Sequence, residues 1–261
     1  MRSLDIAATG MEAQQLYVDV TSQNIANSNT TAYKLQRPEF QDLLYQNERI
    51  VGANSSDNST IVPTGIQLGL GVKTGAIYRN NNQGTLQSTG NPLDLAIQGS
   101  GFFQVTLPDG TLAYTRDGAF QLDPNGIIVT ADGYQLQPAI TIPQDATGIS
   151  IDQSGEVSVT VQGQTAPQLL GQLQTAQFID VNGLQAVGNN LYQETAASGT
   201  ALLGTPGING FGTISQNFLE SSNVDPVTEL TNLIKAQRVY EMNSKVVTTS
   251  DQMWQSLNQS A

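Results

Sequence analysis

Two stripes with a 3.5-residue period, one at each end of the chain, constrain the fold more than any other feature. Near the start, Leu4, Ala8, Met11, Gln15, Val18, Ser22 and Ile25 recur at alternating spacings of four and three. Near the end, Leu233, Ala236, Tyr240, Asn243, Val247, Ser250, Trp254 and Leu257 recur at three and four. That period is the seam of helices wound about a partner, and each stripe is too narrow to make a globular core alone. The spacing predicts a first helix from Ser3, as N-cap, to about Asn27, where the polar run 27–31 ends it. Gly10 weakens that helix by about 1 kcal/mol relative to Ala. A second helix is expected from Pro226, capped by Asp225 and free of Pro and Gly as far as Asn258. Polar Asn243 and Ser250 in its seam give up stability to fix register. An ordinary amphipathic pair packed on a globular domain is the alternative.

The middle of the chain has a different period. Runs such as Phe102-Phe103-Gln104-Val105, Ile127-Ile128-Val129-Thr130 and Val157-Ser158-Val159-Thr160-Val161 read as short strands. Between and around them stand Asp109-Gly110, Asp117-Gly118, Asn125-Gly126, Asp132-Gly133, Ser154-Gly155 and Asn182-Gly183, dipeptides suited to tight hairpins. Ile50-Val51 and Ile61-Val62 flank the polar run 54–60 and predict an extended hairpin. The fold class is therefore α+β: terminal helices paired as a coiled coil, with a hairpin segment and an all-β domain looped out between them. The expected divisions are 1–32 for the first helix, 33–85 for an extended connection, 86–200 for the β domain, 201–223 for a return connection and 224–261 for the second helix.

Composition removes most chemistry. The chain has no cysteine and no histidine, which excludes Ser-His-Asp and Cys-His catalysis and the usual zinc ligand sets. Residues 51–221 hold three Lys/Arg against twelve Asp/Glu, so nine of the twelve net negative charges lie there. Such a middle repels phosphate backbones, and nucleic acid is not an expected partner. No run of eighteen apolar residues exists, so no membrane-spanning helix is expected. The opening 15 residues lack the apolar core and cleavage site of a secretory signal.

Candidate ligand sites fail on spacing. The glycine-rich stretch 69–75 lacks the phosphate-loop pattern, and Gly99-Ser100-Gly101 lacks the third glycine of a dinucleotide fingerprint. Asp117, Asp123 and Asp132 each belong to a turn motif where Asp is expected, so no metal or cofactor is assigned. A hydrolase using two carboxylates and a β-rich binding protein with dimerising helices are the readings of other classes.

Several motifs, in order along nearly the whole chain, carry a resemblance. Asn24-Ile25-Ala26-Asn27 followed by Thr30-Thr31-Ala32-Tyr33-Lys34 resembles the N-terminal motif of bacterial flagellar rod and hook proteins, with Ala32 where that motif usually has glycine. The stretches 94–103 and 114–120 resemble the family's β-domain motifs, and 219–225, 236–247 and 249–253 resemble its C-terminal box. Within the family, the length and the inserted stretch at about 46–65 are most similar to subunits of the distal rod. Proximal rod proteins of similar layout are the alternative, and the hook protein is normally longer.

The resemblance implies a structural, non-enzymatic subunit without cofactors that assembles helically with itself into a rigid tube. The tube carries motor torque to the hook and forms part of the export channel, with helices as an inner tube and β domains as an outer layer. The partners implied are other rod proteins and the hook protein, the rings around the rod, and the type III export apparatus. That apparatus would deliver the chain to the periplasm without a cleaved signal peptide.

Overall fold

The computed structural model describes residues 2–49, 65–163 and 166–260. The chain divides into two compact units built from interleaved segments. Unit 1 comprises Met1–Ala26, Gln36–Arg79 and Asp225–Ala261, and unit 2 comprises Asn27–Leu35 and Asn80–Val224.

Unit 1 holds α1 (Arg2–Ala26), four strands, β1 (Gln36–Asp42), β2 (Tyr45–Arg49), β3 (Ile66–Gly69) and β4 (Val72–Arg79), and the long α2 (Pro226–Ser260). The two helices pack against each other, and β1 and β4 pack on α1, which is why residues 36–79 cluster with the helices. α2 starts at its cap. Asp225 accepts hydrogen bonds from the Thr228 hydroxyl at 2.5 Å and the Val227 N–H at 3.2 Å, while Pro226 fills the first helical position, where no N–H partner is needed. The Thr228 hydroxyl and then the Val227 N–H hold the Asp225 carboxyl below its usual range.

β1 and β4 form an antiparallel pair bulged at Glu39/Phe40, and β2 pairs with β3. The Thr9 hydroxyl on α1 accepts the Val72 N–H at 3.3 Å, tying the helix to the start of β4. The proposed hairpin arms Ile50, Val51, Ile61 and Val62 lie outside the described residues.

Unit 2 is all β in its regular elements, and its largest sheet has nine strands. The strand Phe102–Thr106 lies inside that sheet, and its two phenylalanines show how the pleat divides the core. Side chains alternate faces along a strand, so Phe103 and Val105 enter one cluster with Phe120, Ile128 and Leu136, whereas Phe102 enters another with Tyr114, Phe178 and Leu184. Edge-on ring pairs fill both, at 5.1 Å for Phe103–Phe120 and 4.8 Å for Tyr114–Phe178.

Four of the six expected turn dipeptides connect paired antiparallel strands, at 109–110, 125–126, 132–133 and 154–155. The other two do not. Gly118 sits against the Leu95 carbonyl, where a Cβ has no room, and the strands on either side of it do not pair with each other. Gly183 is pressed in the same way against the Ala197–Ser198 backbone. At both positions glycine permits close approach rather than a hairpin turn, a distinction that the dipeptide alone does not carry.

Candidate functional site

The helix pair has a definite register. Ser3 Oγ lies 3.2 Å from Ser250 Oγ, a Cβ on Gly10 would lie 2.8 Å from Asn243 Nδ2, and Asn24 Nδ2 donates to Glu229 Oε2 at 3.0 Å. From one pair to the next the number rises by seven and then fourteen on α1 and falls equally on α2, so the helices run antiparallel in whole heptads.

On α2, Ala236 and Ser250 are buried and Leu233, Asn243 and Val247 are half-buried, while Tyr240 and Trp254 are exposed. The side chain of Leu257 is outside the described set. On α1 the three closest side-chain approaches to α2 lie beside the hydropathy stripe rather than on it. Leu4, Met11, Val18 and Ile25 are half-buried, and Ala8, Gln15 and Ser22 are exposed. The buried residues are Ala7, Ala13, Val20, Thr21 and Asn24. The contact line through Ser3, Gly10 and Asn24 runs one residue earlier than the expected stripe. Val18 and Tyr240, with Gln15, Gln237 and Glu241, line an open groove of about 570 Å³ beside that contact.

Asn24 is the best-connected motif residue of unit 1. Its amide donates to the Gln36 carbonyl at 2.8 Å, its oxygen accepts the Gln36 N–H at 3.0 Å, and the second amide bond goes to Glu229. One buried side chain thus fixes the start of β1 and the first turns of α2. Ala26 is exposed.

The rest of the motif forms a turn in unit 2. Thr30 donates its N–H to the Asn27 carbonyl and its hydroxyl to Asn27 Oδ1, both at 3.1 Å, and the Tyr33 N–H reaches the Thr30 carbonyl. Ala32 has φ of 56°, and its N–H donates to the Glu220 carbonyl at 2.8 Å. Alanine therefore occupies a left-handed position that glycine adopts without strain.

Lys34 follows and is buried, only 4% exposed. Its Nζ contacts Glu220 Oε1 at 2.5 Å and the Asn82 carbonyl at 2.9 Å. Arg116, at 7%, donates Nε to Glu220 Oε2 at 3.1 Å, and its Nη2 bonds the carbonyls of Ile97 and Gly99. Glu220, at 1%, also accepts the Gly84 N–H. Burial pushes the Lys34 ammonium below its ordinary pKa, Glu220 opposes that shift, and Arg116 adds to it. Asn223 completes the knot by accepting the Leu35 N–H and donating to the carbonyls of Asn80 and Asn82.

The sequence reading gave no role to Glu220, Arg116, Glu229 or Asn223. The available signal was that Arg116, Glu220 and Asn223 sit inside the stretches that carry the family resemblance. The arrangement stiffens backbone segments. Each polar side chain is held by backbone groups or by a charge of opposite sign, and no group of three acidic residues able to hold a metal gathers among the described residues.

Comparison with known proteins agrees with this layout. Residues 4–34 match the family model of the flagella basal body rod protein, 96–159 that of the flagellar hook protein FlgE/F/G D1 domain, and 215–260 that of the flagellar basal body rod FlgEFG protein C-terminal region. The chain is 56% identical to the flagellar basal-body rod protein FlgG of Caulobacter vibrioides, over 99% of each chain. It is 51% identical to FlgG of Buchnera aphidicola and 42% identical to FlgG of Bacillus subtilis, over 98% of each chain in both cases. The chain belongs to the FlgG family of flagellar basal-body rod proteins, structural subunits rather than enzymes.

Proposed function

We propose that this chain builds the distal part of the flagellar rod, with α1 and α2 of each subunit paired as a coiled coil and packed beside those of neighbouring copies into a stiff tube. The observation that carries this reading is the apolar surface that α1 leaves uncovered on α2. Val227 is 72% exposed and Met242 56%, and Leu230, Ile234, Val246 and Met253 are exposed as well. They lie on two flanks. Leu230 follows the paired residue Glu229 by one position and Met242 precedes Asn243 by one, which puts them about 100° to either side of the contact with α1. A helix with apolar patches on both flanks meets two different neighbours, and heterologous contacts that do not close give an open helical array.

Many such seams joined side by side resist twist, because slipping one requires slipping all. That suits a shaft that passes torque to the hook and encloses part of the export channel. Other rod proteins and the hook protein would continue the same packing, with the surrounding rings and the type III export apparatus as further partners. Export without a cleaved signal and residence in the part of the rod that crosses the periplasm belong to the same reading, as does a bracing role for the hairpin segment around Ile50, Val51, Ile61 and Val62. A proximal position in the rod is the alternative, and antibody labelling of isolated basal bodies distinguishes the two.

Electron microscopy of concentrated protein tests the assembly. Leu230→Glu and Met253→Glu touch opposite flanks and little of the subunit core. Each is expected to unfold at the parent's midpoint and to remain monomeric where the parent forms tubes. Tubes formed equally well by both variants would remove the case for these flanks.

A further inference from the structure

The Lys34–Glu220–Arg116 cluster carries two cations on one carboxylate and so leaves a buried surplus of one positive charge. Among the described residues, the charges that bear on Lys34 are those of Glu220 and Arg116, and they act in opposite directions. Both cations line one wall of a cavity of about 100 Å³ that also touches Ser100, Gln177, Phe102 and Phe178. Donors remain. The Lys34 ammonium has three N–H groups, and its bonds to Glu220 and Asn82 use two. Arg116 commits Nε and Nη2 and finds no acceptor for Nη1 among the described residues.

The Arg116 guanidinium also lies 5.8 Å from the centre of the Phe102 ring, which shields one side of it from water. A cavity this size suits a single compact ion or a few waters. Ser100 and Gln177 also line it, and each carries a neutral donor in its side chain.

We propose that this cavity binds one compact monoanion, chloride or a carboxylate, between Lys34 Nζ and Arg116 Nη1. The bound ion neutralises the surplus charge and accepts from these two remaining donors. The site then makes the firmness of unit 2 depend on the anion around it. The carboxylate can come from solution or from a side chain of another molecule.

Melting of the purified chain at constant ionic strength tests this, with sodium chloride exchanged for the bulky sodium isethionate. Chloride is expected to raise the melting temperature saturably by about 2–4 °C and to show a broadened ³⁵Cl resonance that the protein induces. Formate reproducing the gain would extend the site to carboxylates, and a gain confined to halides would assign it to the free ion. Gln177→Glu tethers a carboxylate at the cavity wall and should abolish both the chloride gain and the broadening. Ser100→Asp, on an exposed part of the same wall, gives that readout if Gln177→Glu does not fold. Identical melting in chloride and isethionate without broadening overturns the proposal, and so does a full chloride response in either carboxylate variant.

Discussion

Gly10 on α1 lies against the amide of Asn243 on α2, so closely that a Cβ on the glycine would stand 2.8 Å from Asn243 Nδ2. A glycine that weakens its own helix and an amide that weakens an apolar seam are thus two halves of one contact. Gly10→Ala displaces only the movable end of Asn243 and gains helix propensity, so unfolding in urea should change by less than about 1 kcal/mol. Gly10→Leu should cost about 1–3 kcal/mol, because a branched side chain must push the helices apart. Equal stability of the two variants would show that the helices do not meet there.

Asn24 binds both backbone groups of Gln36 and the carboxylate of Glu229. Asn24→Ala strands these buried partners and should cost about 2–4 kcal/mol. Asn24→Asp should cost more, since it sets a second carboxylate against Glu229. Urea unfolding of both monomers checks the order, and Asp proving the milder change would mean that Glu229 does not face this side chain.

Glu220→Gln should be the most damaging single change in unit 2. It leaves two buried cations without a counter-charge and should cost about 3–5 kcal/mol. Lys34→Met should be milder, and the comparison has a pH signature. Burial holds the folded Lys34 below its ordinary 10.5, so above the lowered value the unfolded chain binds more protons at this site. Its contribution to stability is complete above 10.5 and is lost as pH falls through the folded value. Stability of the parent relative to Lys34→Met should therefore rise over that alkaline window, as read by urea midpoints. A constant difference would place the ammonium in water.

Ala32 has φ of 56° in a buried turn. Ala32→Gly should relieve backbone strain and raise stability by up to about 1 kcal/mol. A clear loss in thermal melting would show that the methyl group's packing outweighs the strain.

Val247 lies half-buried on the face of α2 toward α1, and Thr248 is exposed beside it. Val247→Asp should cost about 2–4 kcal/mol and abolish motility in cells, while Thr248→Asp should stay within about 0.5 kcal/mol. Equal loss of motility from both would count against this register.

The start of α2 and the strands of the core were legible because their signals are local, whereas Ser3, expected as a cap, lies inside α1. Asp225-Pro226 marks a helix start through two side-chain bonds and a missing N–H, and Phe102-Phe103 reads as a strand because both faces of its sheet are apolar. The α1 contact face was not legible in the same way. Hydropathy gives weight to Leu4, Met11 and Val18, whereas the helix meets its partner through Ser3, Gly10 and Asn24, which score as poor core residues. The charged knot was hidden for a different reason. Glu220 is 186 positions from Lys34 and 104 from Arg116, so each reads as an ordinary surface charge until the chain is folded.

The interleaving of the two units fixes an order of completion. A chain that arrives amino end first, from a ribosome or through a narrow channel, has every residue of unit 2 once Val224 has emerged. Unit 1 still waits for the last 37 residues, Asp225–Ala261, including all of α2. The β unit can thus close on its buried charges while α1 still lacks α2, and the helical face stays unfinished until the carboxyl end is free. A chain whose final segment is not yet free has no completed helix pair to present to a copy of itself.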